Sequence, residues 1–212
     1  MHLIPTIGIF STLWCVWSLW QQLVLPQVSG IWTSIWIHTV IAKPLVWGLA
    51  PCCVFLFRNR TKEGEKVNWF EGKFPGLPCV ALLCMTVAFL HTLRLLQGLG
   101  DTFVEFDWTF LLFSVSAGVV EEIGFRGCFF EAQRREAGFW PAALLSSGMF
   151  TLFHYPELLF GGSAALLLSA RAALIFIMGI AFCAMYHKWK NLGLNMVVHT
   201  VWDVLSYLFC LF

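Results

Sequence analysis

The sequence predicts an all-α, polytopic membrane protein: a bundle of about seven transmembrane helices. Three observations predict it. Of 212 residues, 59% are hydrophobic and only 12% charged, about half the charged share of a soluble domain. The apolar residues run on without alternation for roughly 17–25 residues at a time, the length of a bilayer-spanning helix. That pattern excludes a closed barrel, whose strands alternate. Basic residues, finally, gather in every second connecting loop, as cytoplasmic loops require. A net charge of +1 gives no electrostatic case for nucleic acid.

The apolar runs lie near 3–25, 31–57, 76–98, 108–130, 139–156, 164–187 and 191–212. The first, opening MHLIPTIGIF, has no Lys or Arg ahead of it. It lacks the basic start of a cleavable signal peptide and is read as a retained span. The second is long and carries Lys43-Pro44, so it kinks or divides, giving eight spans. No repeat and no soluble insertion is visible, so residues 1–212 form one integral membrane domain.

Loops 58–74, 131–138 and 187–191 hold Lys and Arg, and the loops near 26–30, 99–107 and 156–163 hold none. The two sets alternate without a violation, which places the N-terminus and the basic loops in the cytoplasm. A bacterial inner membrane fits this small chain. Trp32, Trp69, Trp108, Trp140 and Trp189 fall at span ends, as an interfacial aromatic belt would. All eight cysteines lie in or beside apolar runs with no CxxC pair, which argues against a thiolate metal site or redox centre. Cys128 is read as a small core residue.

The fourth run contains VVEEIGFRG, residues 119–127. A charge at mid-bilayer costs about 2.5–3.5 kcal/mol on insertion scales, so Glu121, Glu122 and Arg126 need partners or a purpose. Glu122 and Arg126 are four apart in the favoured order for a helical ion pair. Glu121 points about 100° away and is left as the spare carboxylate, a candidate general base for water. Gly124 and Gly127 permit another helix to come close. His154 lies late in the fifth run, and Asn195, His199 and Asp203 fall at i, i+4 and i+8 in the seventh, one polar stripe on one face. At about 1.5 Å per residue, Glu121, His154, His199 and Asp203 reach compatible depths. Each has a blander reading as a helix–helix hydrogen bond, with Asp203 merely fixing the His199 tautomer. Lys43, Arg94 and Arg171 are expected to snorkel or pair with helix carbonyls. His38 and His91 have no polar companion at helical spacing and are read as packing or lumen-facing residues.

Together these parts suit the activation of water. EEIGFR (Glu121–Arg126), FTLFH (Phe150–His154) and HTVWD (His199–Asp203) stand in order on consecutive apolar runs. They resemble the EExxxR, FxxxH and HxxxN/D motifs of the CPBP group, the CAAX prenyl protease 2 and bacteriocin-processing family of glutamic or metal-dependent intramembrane proteases. The resemblance covers about 119–205, within a catalytic core of about 108–212. It implies a helical bundle with a conical cavity and peptide hydrolysis by water without an acyl-enzyme. Glu121 would activate that water, while His154 and His199 would position it, bind a metal, or donate to the oxyanion. Asp203 stands where the best-known members have Asn. An ionised Asp cannot donate to an oxyanion, so it would act protonated, as a ligand, or as an orienter of His199. Glu121, His154, His199 and Asp203 could supply a zinc site, although HExxH is absent. Glu122, Arg126 and Asn195 would support the site. The implied partner is a membrane-tethered protein or peptide in the bilayer: a prenylated tail, a leader, or a C-terminal sorting segment. Buried Glu, His and Asp also serve proton-coupled transporters and ion pathways, but no inverted repeat is present. A catalytically inactive scaffold is the third reading.

Overall fold

The computed structural model describes residues 3–28, 30, 36–53, 55, 68–96, 98, 107–160 and 165–208. Seven helices account for them, as the sequence predicts: α1 (Leu3–Leu19), α2 (Ile37–Cys53), α3 (Gly76–Leu96), α4 (Trp108–Ala137), α5 (Phe139–Phe160), α6 (Ala165–Trp189) and α7 (Leu192–Leu208). The described residues contain no strand beyond one isolated bridge, Phe70 to Asn191. Arg58, Arg60, Lys62, Lys66, Trp32, Cys210, residues 99–106 and residues 161–163 lie outside the described residues.

Pro5–Gln27, Gly76–Leu96, Trp108–Ala137 and Ala170–Trp189 are each long and apolar enough to cross a membrane. The expectation was seven spans, and α2, α5 and α7 fall short of that measure. α5 carries His154 and Pro156, and α7, with Asn195, His199 and Asp203, is 17 residues long. α2 is short within the described residues. Leu77, Met85, Leu96 and Trp108 are largely exposed, an outward apolar surface that suits lipid rather than water.

Asp107 caps α4, its side chain accepting from the Thr109 amide at 2.8 Å. Gly138, at φ 83°, ends it in the left-handed region that favours glycine. Between these ends α4 widens into π-type turns over Glu122–Phe130, a local form that recurs at functional sites. Similar wide turns flank Lys43 in α2. They let the helix pass Pro44, which has no N–H to give, without splitting in two.

α4 is central. A Cβ on Gly124 would collide with the Trp47 carbonyl of α2, and one on Gly118 would collide with Thr200 and the α7 backbone. Helices on two sides of α4 therefore meet its backbone at glycines. A buried aromatic cluster, Phe10, Trp17, Trp47, Phe125, Phe129 and Phe153, locks α1, α2, α4 and α5 together. Cys128 and Cys183 are buried and pack as small hydrophobes.

The described parts of the three basic loops meet at one end of the bundle. Gly72 N donates to Lys190 O at 2.9 Å, Leu192 N donates to Trp69 O at 2.9 Å, and Asn191 Nδ2 donates to Gly72 O at 2.7 Å. Phe139, just past the second loop, lies 5.0 Å from the His187 ring. Trp108 and Trp140 are exposed as belt residues should be. Trp69 is not: its indole donates to Gly127 O at 3.0 Å, turning the ring inward onto α4.

Candidate active site

Glu122 is a fully buried hub. Its Oε1 accepts from Arg126 Nη1 and from His199 Nδ1, each at 2.9 Å. Its Oε2 accepts from Asn195 Nδ2 at 3.0 Å, and the same amide also donates to Phe182 O at 2.8 Å. The predicted Glu122–Arg126 pair is present. One carboxylate thus binds its own helix to α7 at two of the three positions of the polar stripe.

His199 takes its tautomer from Glu122. A carboxylate paired with arginine only accepts, so Nδ1 carries the proton and Nε2 faces away. Asp203 Oδ1 lies 3.8 Å from His199 Nε2, beyond a direct hydrogen bond, so Asp203 faces the other nitrogen of the ring from Glu122. His154 is fixed in the same sense from α5. Its Nδ1 donates to the Phe150 carbonyl at 2.9 Å, again leaving Nε2 to face inward.

Both inward nitrogens converge on Glu121. His199 Nε2 is 3.5 Å and His154 Nε2 is 3.8 Å from Glu121 Oε2. That oxygen is buried and has no direct hydrogen-bond partner among the described residues. The distances are those of groups that bridge through a third atom rather than touch.

Glu121 is not the spare carboxylate that spacing suggests. Lys43 of α2 places its ammonium 2.5 Å from Glu121 Oε1, and the same ammonium lies over the Trp47 ring, 4.4 Å from its centre. An ionised carboxylate this deep needs a counter-charge, and only a helix distant in sequence could bring one. The sequence reading of Lys43, as snorkelling or pairing with helix carbonyls, does not anticipate this pair. The signal that could have marked it is its isolation, since a lone Lys mid-run in an apolar helix calls for a buried anion.

The aromatic shell completes the site. The Arg126 guanidinium lies over Phe150 at 4.3 Å and Phe182 at 5.1 Å. Phe150 also meets the His154 ring at 4.7 Å, and Phe182 stacks on His199 at 5.0 Å. Phe150 is therefore the physical link between the first two motifs. Two cavities open beside the acidic groups. One of about 430 Å³ is lined by His38, Lys43, Phe110, Asp203 and Tyr207 among others, and one of about 200 Å³ by His154, Arg171, His199 and Asp203. Asp203 stands on the wall of both. His38 accepts from Trp20 Nε1 at 3.1 Å, so it is held by a polar partner from outside its own helix. Arg171, read as snorkelling or pairing with helix carbonyls, lines the smaller cavity.

The residues do not fit a metal centre. No group of three or more His, Cys, Asp or Glu among the described residues is arranged to hold an ion. The Lys43 ammonium also sits on the very carboxylate that would have to bind a second cation. The zinc expectation for Glu121, His154, His199 and Asp203 therefore gains no support.

Residues 103–205 match the family model described as Type II CAAX prenyl endopeptidase Rce1-like. The motif-bearing part of the chain is similar to this family. The Rce1-like segment begins just before α4 and ends within α7, so it takes in Glu121, His154, His199 and Asp203 and leaves out Lys43. Neither curated proteins nor solved structures gave a significant match. The Rce1-like match suggests a CAAX-type endopeptidase, and the long apolar helices suggest an integral membrane protein. The transporter alternative gains nothing from these comparisons.

Proposed function

We propose that this protein is an intramembrane endopeptidase that cuts a membrane-tethered peptide with water activated by Glu121. A prenylated C-terminal tail is the substrate that the family description favours. The observation that carries the reading is the convergence of two imidazole nitrogens, from α5 and α7, on one otherwise unbonded oxygen of Glu121. A water held there lies against a base and two rings whose outer nitrogens are already committed.

The chemistry balances simply. Glu121 Oε2 takes a proton from water, and the hydroxide attacks the scissile carbonyl carbon. The tetrahedral oxyanion is stabilised by an imidazole N–H, for which His199 is the better placed. His199 serves this role as the imidazolium, with its Nδ1–H held by Glu122 and its Nε2–H turned to the site. When the C–N bond breaks, the leaving amine takes the proton from Glu121. Glu122, Arg126 and Asn195 keep the rings in place. No step passes through a metal.

We place the three basic loops and the N-terminus on the cytoplasmic side of a bacterial inner membrane, with residues 1–212 as one domain and about 108–212 as its catalytic core. The meeting of those loops at one end of the bundle supports this. The test is direct. Detergent-solubilised protein is incubated with a quenched fluorogenic peptide ending in farnesyl-cysteine and three further residues, and products are read by mass spectrometry. Release of the terminal tripeptide is expected. Folded protein that leaves this peptide, leader-type peptides and sorting-type peptides uncut would contradict the proposal.

A further inference from the structure

The site holds three carboxylates, Glu121, Glu122 and Asp203, and their fixed counter-charges come from different places. Arg126 serves Glu122, with Nη1 on its Oε1 and the guanidinium shut between Phe150 and Phe182. Lys43 serves Glu121 at 2.5 Å and lines the same 430 Å³ cavity as Asp203. It comes from α2, outside the Rce1-like segment. Position 203 of this chain is an acid, Asp203. The acid adds one negative charge to the cavity that Lys43 faces.

We infer that Lys43 is a positioning residue of the active site. It keeps Glu121 ionised, with Oε1 occupied and Oε2 turned to the two histidines, and the need for it is set by the charge of Asp203. The inference rests on the reading of Glu121 as the base. Removing one partner of a buried ion pair leaves an uncompensated charge. The cheapest relief for a buried carboxylate is to take up a proton, and a protonated Glu121 cannot take another from water. Replacing Asp203 by Asn withdraws a like charge from the same cavity and lessens the demand for the lysine.

The experiment measures kcat and KM on the farnesylated quenched peptide for wild type, K43M, K43R, D203N, K43M/D203N and E121Q. Folding is checked by size exclusion and thermal unfolding in detergent. For K43M, kcat should fall about 100-fold or more with KM within about threefold, and K43R should stay within about tenfold of wild type. Adding D203N to K43M should raise kcat roughly tenfold or more, a gain that D203N does not give alone, because coupled charges are not additive. A purely structural lysine would not produce that coupling. If K43M does not fold, K43Q takes its place, expected inactive beside an active K43R. A folded neutral variant within about threefold of wild type, or additive effects with D203N, would overturn the inference. An inactive E121Q beside an active K43M removes only the role of Lys43, whereas an active E121Q removes the underlying reading.

Discussion

Arg126 lies over the ring of Phe150, its guanidinium carbon 4.3 Å from the ring centre. Arg126 is fully buried, and its Nε and Nη2 have no hydrogen-bond partner among the described residues. The faces of Phe150 and Phe182 stand in for those partners through cation–π attraction. The same Phe150 meets the ring of His154 one turn on. The arginine of the first motif and the histidine of the second are thus packed on one side chain.

Phe150→Ala should therefore cost more than a cavity. Truncating a buried Phe costs about 3–5 kcal/mol, and here it also uncovers a buried cation and loosens His154. Thermal unfolding in detergent should show a clearly lower midpoint, with activity falling further than stability alone explains. A midpoint equal to wild type would refute the packing role.

Glu122→Gln and Glu121→Gln should part company. Glu122 is the acceptor for Arg126, His199 and Asn195. Its loss leaves a buried cation unpaired, at about 3–5 kcal/mol, and folded yield should drop. Glu121→Gln frees the Lys43 ammonium, which keeps the Trp47 face and the edge of a cavity, so folded yield should fall less. Equal losses by quantitative blotting and size exclusion would undo this division.

Much of this was legible in the sequence, for identifiable reasons. Glu122–Arg126 follows from helical spacing alone, and the Asn195–His199–Asp203 stripe follows from a polar period in an apolar helix. Position within the fold decided the rest. No basic residue lies within a turn of Glu121, and Lys43, 78 positions earlier in the chain, is brought to it by α2–α4 contacts at Gly48 and Gly124. His199 sits at helical spacing from Asp203, yet bonds across the interface to Glu122 instead. Trp69 occupies a span end like the belt tryptophans, but a hydrogen bond to Gly127 draws it inward. Local periodicity reports faces of single helices; pairing between helices is set by where small residues let backbones approach.

Chelation separates the two water-activating routes. The donors around Glu121 do not suit a metal, so a strong membrane-permeable chelator should leave cleavage of the farnesylated peptide unchanged. Loss of activity that added zinc restores would require a rearranged site.

Orientation is checked by labelling. Single cysteines introduced at Lys73 and in loop 99–107, in a background without native cysteines, should react with an impermeant maleimide from opposite sides of the membrane. Cysteines placed at Lys73 and at Lys190 should react from the same side, since those segments are hydrogen-bonded neighbours. Reaction of the first pair from one side would contradict the proposed topology.

The most direct measurement is cleavage of the farnesylated peptide by purified Glu121→Gln. The amide keeps the shape of the side chain and cannot take a proton from water. If Glu121 is the base, a folded variant should lose activity by roughly 1000-fold or more, the combined scale of losing base catalysis and transition-state alignment. A folded Glu121→Gln protein that still cuts the peptide at more than about one-tenth of the wild-type rate would show that the water is activated elsewhere.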